Sequence, residues 1–362
     1  MKVIIDQVRD YNLEELKEFF KNFLKECEFF LKSKSILLKP NLLQASPPEK
    51  AITTHPVFIE ACIIAVKELN PECSIYIGDS PGANFINYEI VLKTTGIMDA
   101  AKKYNVEIVK FEKYAPKKIN DFIITSFVDK VDCILNLAKL KTHSLTGLTL
   151  CVKNLFGLVP GTNKVGYHKK YPDSSKLAEN IYQIYEIVKD KTLSFLDGIL
   201  AHEGEGPSRG KPVKLGIVGA SVHAEALDMV ITNVLGFPVD FCKTNLVLLR
   251  KGINLQDVEI EGKIDNIPKI RVPISTKVVF LPNWFKRWFA EHISVKPEID
   301  KNSCIKCFLC YKSCPVNAIN KIDGFFLEID KDKCIECFCC YEVCESDAIN
   351  LKRSLLHKVI AK

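Results

Sequence analysis

CIKCFLCYKSCPVNAIN at residues 304–320 and CIECFCCYEVCESDAIN at residues 334–350 are two copies of one pattern near the end of a 362-residue chain. Both have the spacing C-x-x-C-x-x-C-x-x-x-C, and thirty residues separate matching positions. The flanking residues recur as well, so the chain contains an internal duplication. We call the two copies the first repeat and the second repeat.

The spacing of these cysteines indicates iron-sulfur chemistry. A cubane cluster needs three thiolates from one tight loop and a fourth from a distance, and each repeat offers both. Structural zinc and disulfides are the competing interpretations, and the triple spacing together with the duplication disfavours both. The sequence therefore predicts two 4Fe-4S clusters with eight ligands: Cys304, Cys307, Cys310, Cys314, Cys334, Cys337, Cys340 and Cys344.

The repeats resemble bacterial-type two-cluster ferredoxins over about residues 297–350. In that family the fourth cysteine of each run ligates the other cluster. The resemblance thus implies two crossed ligand sets: Cys304, Cys307, Cys310 and Cys344 in one, and Cys334, Cys337, Cys340 and Cys314 in the other. It also implies that both clusters form together.

The two repeats differ at two positions that bear on the clusters. Cys314 is followed by Pro315, whereas Cys344 is followed by Glu345. Because a carboxylate disfavours adding an electron nearby, we predict the lower potential for the cluster nearest Cys344. The second repeat also has a fifth thiol, Cys339, which we interpret as a small buried residue rather than an alternative ligand.

Composition limits the expected cellular location and partners of the protein. The chain begins MKVIIDQVRD, with charges where a signal peptide needs an apolar run, and no apolar segment has the length of a membrane span. We expect a cytoplasmic protein with reduced thiols, in a low-oxygen cell. The formal net charge is +6, but only six of 50 basic residues are arginine, so we expect no nucleic-acid partner.

Before the repeats, apolar β-branched runs alternate with segments of helical period. This alternation predicts a large α/β domain with a mostly parallel sheet, beside a small α+β ferredoxin-like domain. Predicted strands are Ser35–Leu38, Ser74–Ile77, Val106–Phe111, Asp132–Leu137, Leu193–Leu196, Lys214–Val218 and Leu246–Leu249. Predicted helices are Leu13–Leu31, Pro56–Leu69, Asn87–Tyr104, Ser174–Val188 and His223–Leu235.

We predict four parts along the chain: the α/β domain at 1–275, an aromatic linker helix at 276–296, the ferredoxin-like domain at 297–350 and a basic tail at 351–362. The stretch from Gly252 to Pro273 has the composition of a charged insertion or linker. The aromatic segment FLPNWFKRWFAEHI is interpreted as a helix packed between the domains, with a membrane-surface or partner-docking helix as the alternative.

Polar clusters follow the predicted strands, at the sheet edge where ligands of open parallel sheets bind. Candidate catalytic residues are Asp79, Lys141, His143 and His168, and candidate substrate-binding residues are Lys39, Asn41, Lys139 and Lys153. Residues 151–173 are predicted to form a shaped basic loop, so the pocket suits an anionic ligand. The alternative to a shared pocket is that these lysines point separately into water. The alternative to a site at GDSPG is a plain turn. A second loop, His202–Arg209, offers an imidazole and two carboxylates.

KPNLL, TTHPVF, GDSPG, NLAKLKTH, VKNLFGLVPG and LDGI, across residues 35–230, resemble the domain of unknown function 362 family. Its members are often fused to a two-cluster ferredoxin unit, and the resemblance implies no settled activity. Lys153, Pro160-Gly161 and His168 also partly resemble lactate racemases that carry a nickel-pincer nucleotide.

The leading hypothesis is a ferredoxin-coupled oxidoreductase. In it, a redox partner protein or another reduced donor supplies electrons, and an anionic small molecule in the large domain receives them. The alternatives are a non-enzymatic electron carrier or assembly subunit, and a racemase or isomerase with an added cofactor. Dinucleotide or ATP binding is not expected, because neither G-x-G-x-x-G nor a Walker sequence occurs.

Overall fold

The computed structural model describes residues 1–82, 87–119, 121–161, 163–273, 276, 295–322, 324 and 326–353. The predicted aromatic helix at 276–296 lies almost entirely outside the described residues, and so does the tail from residue 354. No helix in the described ranges is long and apolar enough to cross a membrane.

The described strands are numbered in chain order. They are β1 Lys2–Gln7, β2 Ser35–Pro40, β3 Ser74–Gly78, β4 Glu107–Val109, β5 Pro116–Ile119, β6 Phe122–Thr125, β7 Cys133–His143, β8 Gly147–Thr149, β9 Thr192–Glu203, β10 Lys211–Ser221, β11 Glu259–Glu261, β12 Val295–Ile299, β13 Ile319–Ile322, β14 Phe326–Ile329 and β15 Ile349–Arg353.

Within the described residues, nine strands form one sheet in the order β11-β1-β10-β9-β7-β2-β3-β4, with β8 paired to β7. The run from β9 to β4 is parallel, whereas β10 pairs with β9 and β1 in antiparallel fashion. The prediction of an α/β domain with a mostly parallel sheet is confirmed.

The described helices are also numbered in chain order. They are α1 Leu13–Leu24, α2 Glu28–Leu31, α3 Pro56–Leu69, α4 Tyr88–Thr94, α5 Ile97–Lys103, α6 Cys151–Asn154, α7 Asn163–Lys170, α8 Ser174–Val188, α9 Ala224–Val234, α10 Leu246–Arg250, α11 Leu309–Lys312 and α12 Cys339–Glu342.

Helices cover both faces of the large sheet, because the buried strands are apolar on both sides. Successive strand residues point to opposite faces. Ile36 and Leu38 of β2 therefore lie in the core formed with α1 and α3. Leu37, between them, lies in the core formed with α8 and α9. The carboxyl ends of the parallel strands stay uncovered by these helices, and the polar clusters lie there.

Three predicted elements differ in the structure. Leu246–Leu249, predicted as a strand, forms helix α10, because a short apolar run is compatible with either element. The predicted helix Asn87–Tyr104 is two helices that meet at Gly96, whose φ of +74° interrupts the helix. The predicted helix Leu13–Leu31 likewise divides into α1 and α2.

Two segments predicted to be irregular contain regular structure. The predicted linker Gly252–Pro273 contains β11, which pairs in parallel with β1 at the sheet edge. The predicted loop at 151–173 contains α6, a 3-10 turn at Leu155–Leu158 and α7. Strand β1 itself was not predicted. Short elements of this kind form because the sheet and core beside them satisfy their backbone groups.

The two cysteine repeats have the same backbone conformation. Helices α11 and α12 occupy matching positions, and each follows a phenylalanine in the left-handed region, with φ of +59° at Phe308 and +56° at Phe338. In the small domain, β12 pairs with β15 and β13 pairs with β14. The duplication seen in the sequence is therefore a duplication of structure.

Candidate functional site

The first candidate centre is the set of repeat cysteines. Burial, together with the neighbouring Cys344, Cys307 and Cys304, raises the pKa of the Cys310 thiol to about 12. A thiolate affects its neighbour in this way only at short range. Cys344 of the second repeat therefore lies beside the three leading cysteines of the first repeat.

The other four cysteines surround a small pocket. Cys314 lines it together with Cys334, Cys337 and Cys340, and the remaining wall is largely apolar, with Pro315, Ile319 and Phe338 among its residues. Apolar walls exclude water from a cluster, and N–H···S hydrogen bonds tune its potential. The Ala318 N–H donates such a bond to Cys314 Sγ at 3.1 Å. These four residues thus have the surroundings that a cluster requires.

A cubane holds its four thiolates farther apart than a single metal ion would. In the described residues, no group of three or more His, Cys, Asp or Glu side chains is arranged around a single ion.

The second candidate centre lies at the carboxyl ends of β2, β3 and β7. Two of the predicted lysines are closed into buried salt bridges there. Lys39 Nζ lies 2.7 Å from Asp79 Oδ1, and Lys139 Nζ lies 2.8 Å from Asp197 Oδ2. Burial lowers the pKa of both lysines, and their carboxylate partners oppose that shift. Neither lysine lines the cavity described below, so both act here as structural ion pairs.

The Lys39–Asp79 pair depends on a glycine in the VKNLFGLVPG motif. A Cβ at Gly157 would lie 1.9 Å from Asp79 Oδ1 and 2.5 Å from Lys39 Nζ. Any side chain at residue 157 would therefore displace the salt bridge. Asp79 Oδ2 also accepts a hydrogen bond from the Leu42 N–H at 2.7 Å, so this carboxylate connects three segments of the site.

A partly open cavity of about 90 Å³ lies between the two domains. The large domain contributes the predicted residues Asn41, Asp79, Lys141, His143, Lys153 and His168 to its wall. The ferredoxin-like domain contributes Ser313, Cys339, Glu342 and Val343. The structure thus brings six of the eight predicted catalytic and substrate-binding residues to one cavity.

Two cavity lysines are held by hydrogen bonds. Lys141 Nζ donates to Asn41 Oδ1 at 2.7 Å and to the Ile52 carbonyl at 2.8 Å. Burial lowers the pKa of Lys141 to about 7. Lys164 Nζ donates to the Ser80 and Pro81 carbonyls, and burial lowers its pKa to about 8. Both amines therefore change charge within the physiological pH range.

Lys153 and His168 face the cavity without such partners. In the described part of the chain, neither side chain makes a hydrogen bond, and Lys153 forms no close ion pair. Burial and the Lys153 charge together lower the pKa of His168 to about 4, so this imidazole is neutral at pH 7. Burial lowers the pKa of Lys153, and the Glu342 carboxylate opposes that shift. A lysine amine and a neutral imidazole are therefore available to a ligand.

The orientation of His143 can be derived from its contacts. Its Nδ1 accepts hydrogen bonds from the Leu145 and Thr146 N–H groups, at 3.1 and 3.3 Å. Burial, with help from Lys153 and Lys141, keeps the pKa of His143 well below its usual value, so the ring is neutral. The single ring proton is consequently on Nε2, which points toward Glu342 Oε1 at 3.4 Å.

Glu342 was not predicted as a site residue, although its carboxylate lines the cavity and faces His143 of the large domain. Its side chain is 16% exposed, and its buried Oε1 has no hydrogen bond within the described residues. Burial raises the pKa of Glu342, whereas Lys153 and Lys141 lower it. One sign of this role was visible in the sequence, because the matching residue of the first repeat is Lys312.

The remaining predicted groups lie elsewhere or have other partners. His202 Nδ1 bonds to the Lys50 carbonyl at 2.9 Å, and Nε2 accepts from the Gly210 N–H at 2.8 Å. Glu203 binds Arg271. The imidazole and the Glu203 carboxylate of the second loop are therefore bound by neighbouring segments, and the loop reaches the cavity wall at Pro207. Cys339 is buried, as we interpreted it, but it also lines the cavity wall.

Comparisons with known proteins agree with the motifs. A family described as "Domain of unknown function (DUF362)" matches residues 36–233, and one described as "4Fe-4S binding domain" matches residues 296–319. The thylakoid-associated protein sll1697 of Synechocystis sp. is 32% identical over 254 residues, which are 66% of this chain and 78% of that protein.

A solved structure, the lactate racemase apoprotein from Thermoanaerobacterium thermosaccharolyticum, aligns with a TM-score of 0.39 and 10% identity. The alignment covers 61% of this chain and 54% of the racemase, so this chain spans about half of that protein's length.

Proposed function

Because this chain belongs to the domain of unknown function 362 family and carries a 4Fe-4S binding domain, we propose that it transfers electrons to an anionic small molecule in the cavity between its domains. Two 4Fe-4S clusters, held by the crossed ligand sets, would supply these electrons one at a time. The protein is then a ferredoxin-coupled oxidoreductase.

The shared wall of the cavity carries the proposal. Cys339 lines the cavity, and its thiol is close enough to the ligand Cys337 that each shifts the pKa of the other. Ser313, next to the ligand Cys314, lines the same cavity. The ligand set of Cys334, Cys337, Cys340 and Cys314 thus lies directly behind the wall, which favours electron delivery from that cluster.

The other side of the cavity suits binding and proton delivery. Lys153 offers a cation to an anionic group, and His143 offers its Nε2–H. Lys141, with a pKa of about 7, is matched to proton transfer near neutral pH. His143 and His168 are neutral there, so they serve as hydrogen-bonding groups rather than as acids.

The direct test is reoxidation of the reduced protein. Holoprotein purified without oxygen is reduced with dithionite, freed of excess reductant and mixed with small-molecule fractions of a cell extract, while cluster absorbance is followed. We expect one fraction to reoxidise the wild type. Lys153→Met should lose at least about tenfold in rate, because an anion loses its cation at short range. Lys169→Met, an exposed neighbour outside the cavity, is the control and should keep the rate.

The outcomes separate the functions. If no small-molecule fraction reoxidises the clusters, the proposal is wrong. If only protein fractions do so, and Lys153→Met matches the wild type, the chain is an electron carrier for another protein.

Anion binding should also depend on pH. Burial lowers the pKa of Lys141 to about 7, with help from the charges of Lys153 and Lys139, whereas the carboxylates of Glu342 and Asp79 oppose the shift. The amine therefore loses its proton near pH 7. Sulfate, which does not titrate in this range, should therefore bind less tightly as the pH rises from 6 to 9. In calorimetry, Lys141→Met should bind sulfate weakly already at pH 6 and show no step near pH 7. A wild-type affinity independent of pH would contradict this assignment.

A further inference from the structure

The two repeats carry opposite charges at matching positions. The first repeat has two lysines, Lys306 and Lys312, and no acidic residue. The second repeat has four acidic residues and no lysine or arginine; they are Glu336, Glu342, Glu345 and Asp347. Lys306 matches Glu336, and Lys312 matches Glu342. A duplicated unit has thus acquired one basic copy and one acidic copy.

The acidic copy faces the large domain. Glu342 enters the cavity beside Lys153 and Lys141. Asp347 Oδ1 lies 3.1 Å from Arg209 Nε, and the Arg209 guanidinium lies 4.1 Å from the centre of the Tyr341 ring. Basic groups of the large domain therefore compensate two of the four acidic residues of the second repeat, Glu342 and Asp347.

The basic copy presents lysines over exposed rings. Lys306 Nζ lies 4.7 Å from the centre of the Phe326 ring, and Lys301 Nζ lies 5.8 Å from the same ring. Lys321 Nζ lies 5.0 Å from the Tyr311 ring. Tyr311 is 41% exposed and Phe326 is 39% exposed. We call these five residues, together with Ile305, the basic-aromatic face.

This face is next to the more accessible cysteines. Ile305, which is 64% exposed, separates Cys304 from Cys307, and Cys307 is exposed. Asp300, an acidic neighbour, is turned into its own loop, where it accepts hydrogen bonds from the Asn302 N–H and the Ser303 hydroxyl. The face therefore combines positive charge, apolar area and short access to the ligand set of the first repeat.

We infer that the basic-aromatic face is the docking site of an acidic electron-carrier protein, which reduces the cluster of the first repeat. Opposite charge steers such a partner, and the exposed rings and Ile305 give it apolar contact. Electrons then enter at the basic repeat and leave at the acidic repeat, beside the cavity. A protein fits better than a nucleic acid, because the face has lysines without arginine and an exposed aliphatic residue, Ile305.

The inference adds an electron donor to the proposed function, and it rests on that function only for the presence of the clusters. The test uses anaerobic holoprotein and the fully reduced hydroquinone of an acidic flavodoxin, mixed by stopped flow. One electron passes from the flavin to an oxidised cluster, which leaves a flavin semiquinone with its own absorbance. We expect the second-order rate to fall as salt increases, because screening weakens steering.

The matched variants use the duplication itself. Lys301→Glu with Lys306→Glu and Lys321→Glu should lower the rate at low salt at least tenfold and remove its salt dependence. Lys331→Glu makes the same change at the second-repeat position that matches Lys301, and it should leave the rate unchanged. Dithionite, a small reductant, should reduce all variants alike, which shows that their clusters are intact.

An unchanged flavodoxin rate in the triple variant would overturn the inference, and so would equal losses in the triple variant and Lys331→Glu. Binding of a DNA oligonucleotide or of anionic lipid vesicles that is lost only in the triple variant, with no effect on the flavodoxin rate, would assign the face to that other partner instead. If flavodoxin reduces the clusters through this face but no small molecule reoxidises them, the docking site stands and the proposed function falls.

Discussion

The first and second cysteine repeats share one backbone but have opposite surroundings. Matching residues adopt matching conformations, with Phe308 and Phe338 both in the left-handed region. Yet Lys312 is exposed, whereas Glu342 at the same position is largely enclosed and faces His143. The comparison teaches that the cysteines and turns set the fold of each repeat, while the charges set the direction in which each repeat faces.

The physical reason is that the turn conformations depend on residues within one repeat, whereas the charges depend on residues far away along the chain. Positive φ values and thiol spacing are satisfied inside one repeat. A buried carboxylate, in contrast, needs cations from another part of the chain, because burial of an unpaired charge is costly. Only the second repeat supplies that carboxylate, and only the large domain supplies Lys141 and Lys153.

The largest effect is expected from breaking the proposed crossed ligand sets. In that proposal Cys344→Ala removes a ligand from the cluster whose other ligands are in the first repeat, so iron per chain should fall by at least about half of the value expected for two four-iron clusters. In partly loaded protein, alkylation followed by mass spectrometry should modify Cys304, Cys307 and Cys310 more than Cys334, Cys337 and Cys340. Cys314→Ala should give the reverse pattern. Modification of the mutated repeat's own cysteines would instead indicate uncrossed clusters.

An intermediate effect is expected from exchanging the charge at the matching positions. Glu342→Gln removes the negative charge that competes with an anionic ligand for Lys153, so sulfate should bind about tenfold more tightly, equivalent to 1.4 kcal/mol. Lys312→Gln is the matched control, because it removes a charge from the equivalent position outside the cavity. Calorimetry measures both. Weaker or unchanged binding in Glu342→Gln would mean that this carboxylate does not oppose the anion.

The smallest effect is expected where the repeats differ by Pro315 and Glu345. Glu345 is exposed, so solvent screens its charge. Glu345→Pro should raise the potential of the nearer cluster by only about 20 mV, a fraction of the 59 mV that corresponds to tenfold in a one-electron couple. A redox titration followed by electron paramagnetic resonance measures it. Identical potentials in the variant and the wild type would remove our prediction that Glu345 makes the cluster near Cys344 the more reducing one.

Much of the fold followed from pattern alone. The buried strands β2, β3, β7 and β9 were predicted because each contains a short apolar run, and α3 and α8 because their period and length are clear. Strand β11 was missed because its three residues, Glu259–Glu261, are exposed and carry no pattern; the neighbouring strand β1 supplies their partners. Helix α10 was predicted as a strand because four apolar residues do not distinguish the two elements.

The site was predicted in position but not in detail. Polar residues after parallel strands indicate the cavity edge, and Asn41, Lys141 and Lys153 are there. Lys39 and Lys139 have the same local sequence features, yet each faces a carboxylate far along the chain, 40 residues away for Lys39 and 58 for Lys139. Whether a lysine is free or paired depends on such long-range neighbours, which a local motif does not contain.

The sequence by itself determined the cysteine spacing, the duplication and the alternation of strands and helices, because these depend on residues that are close along the chain. The tertiary structure decided which lysines stay available, that Gly157 leaves room for the Lys39–Asp79 pair, and that Glu342 and Cys339 of the second repeat complete the wall of a cavity in the other domain. Those outcomes depend on burial and on charges brought together from distant segments. At this cavity the carboxylate of Glu342, in the acidic repeat, lies beside the lysines Lys141 and Lys153 of the large domain.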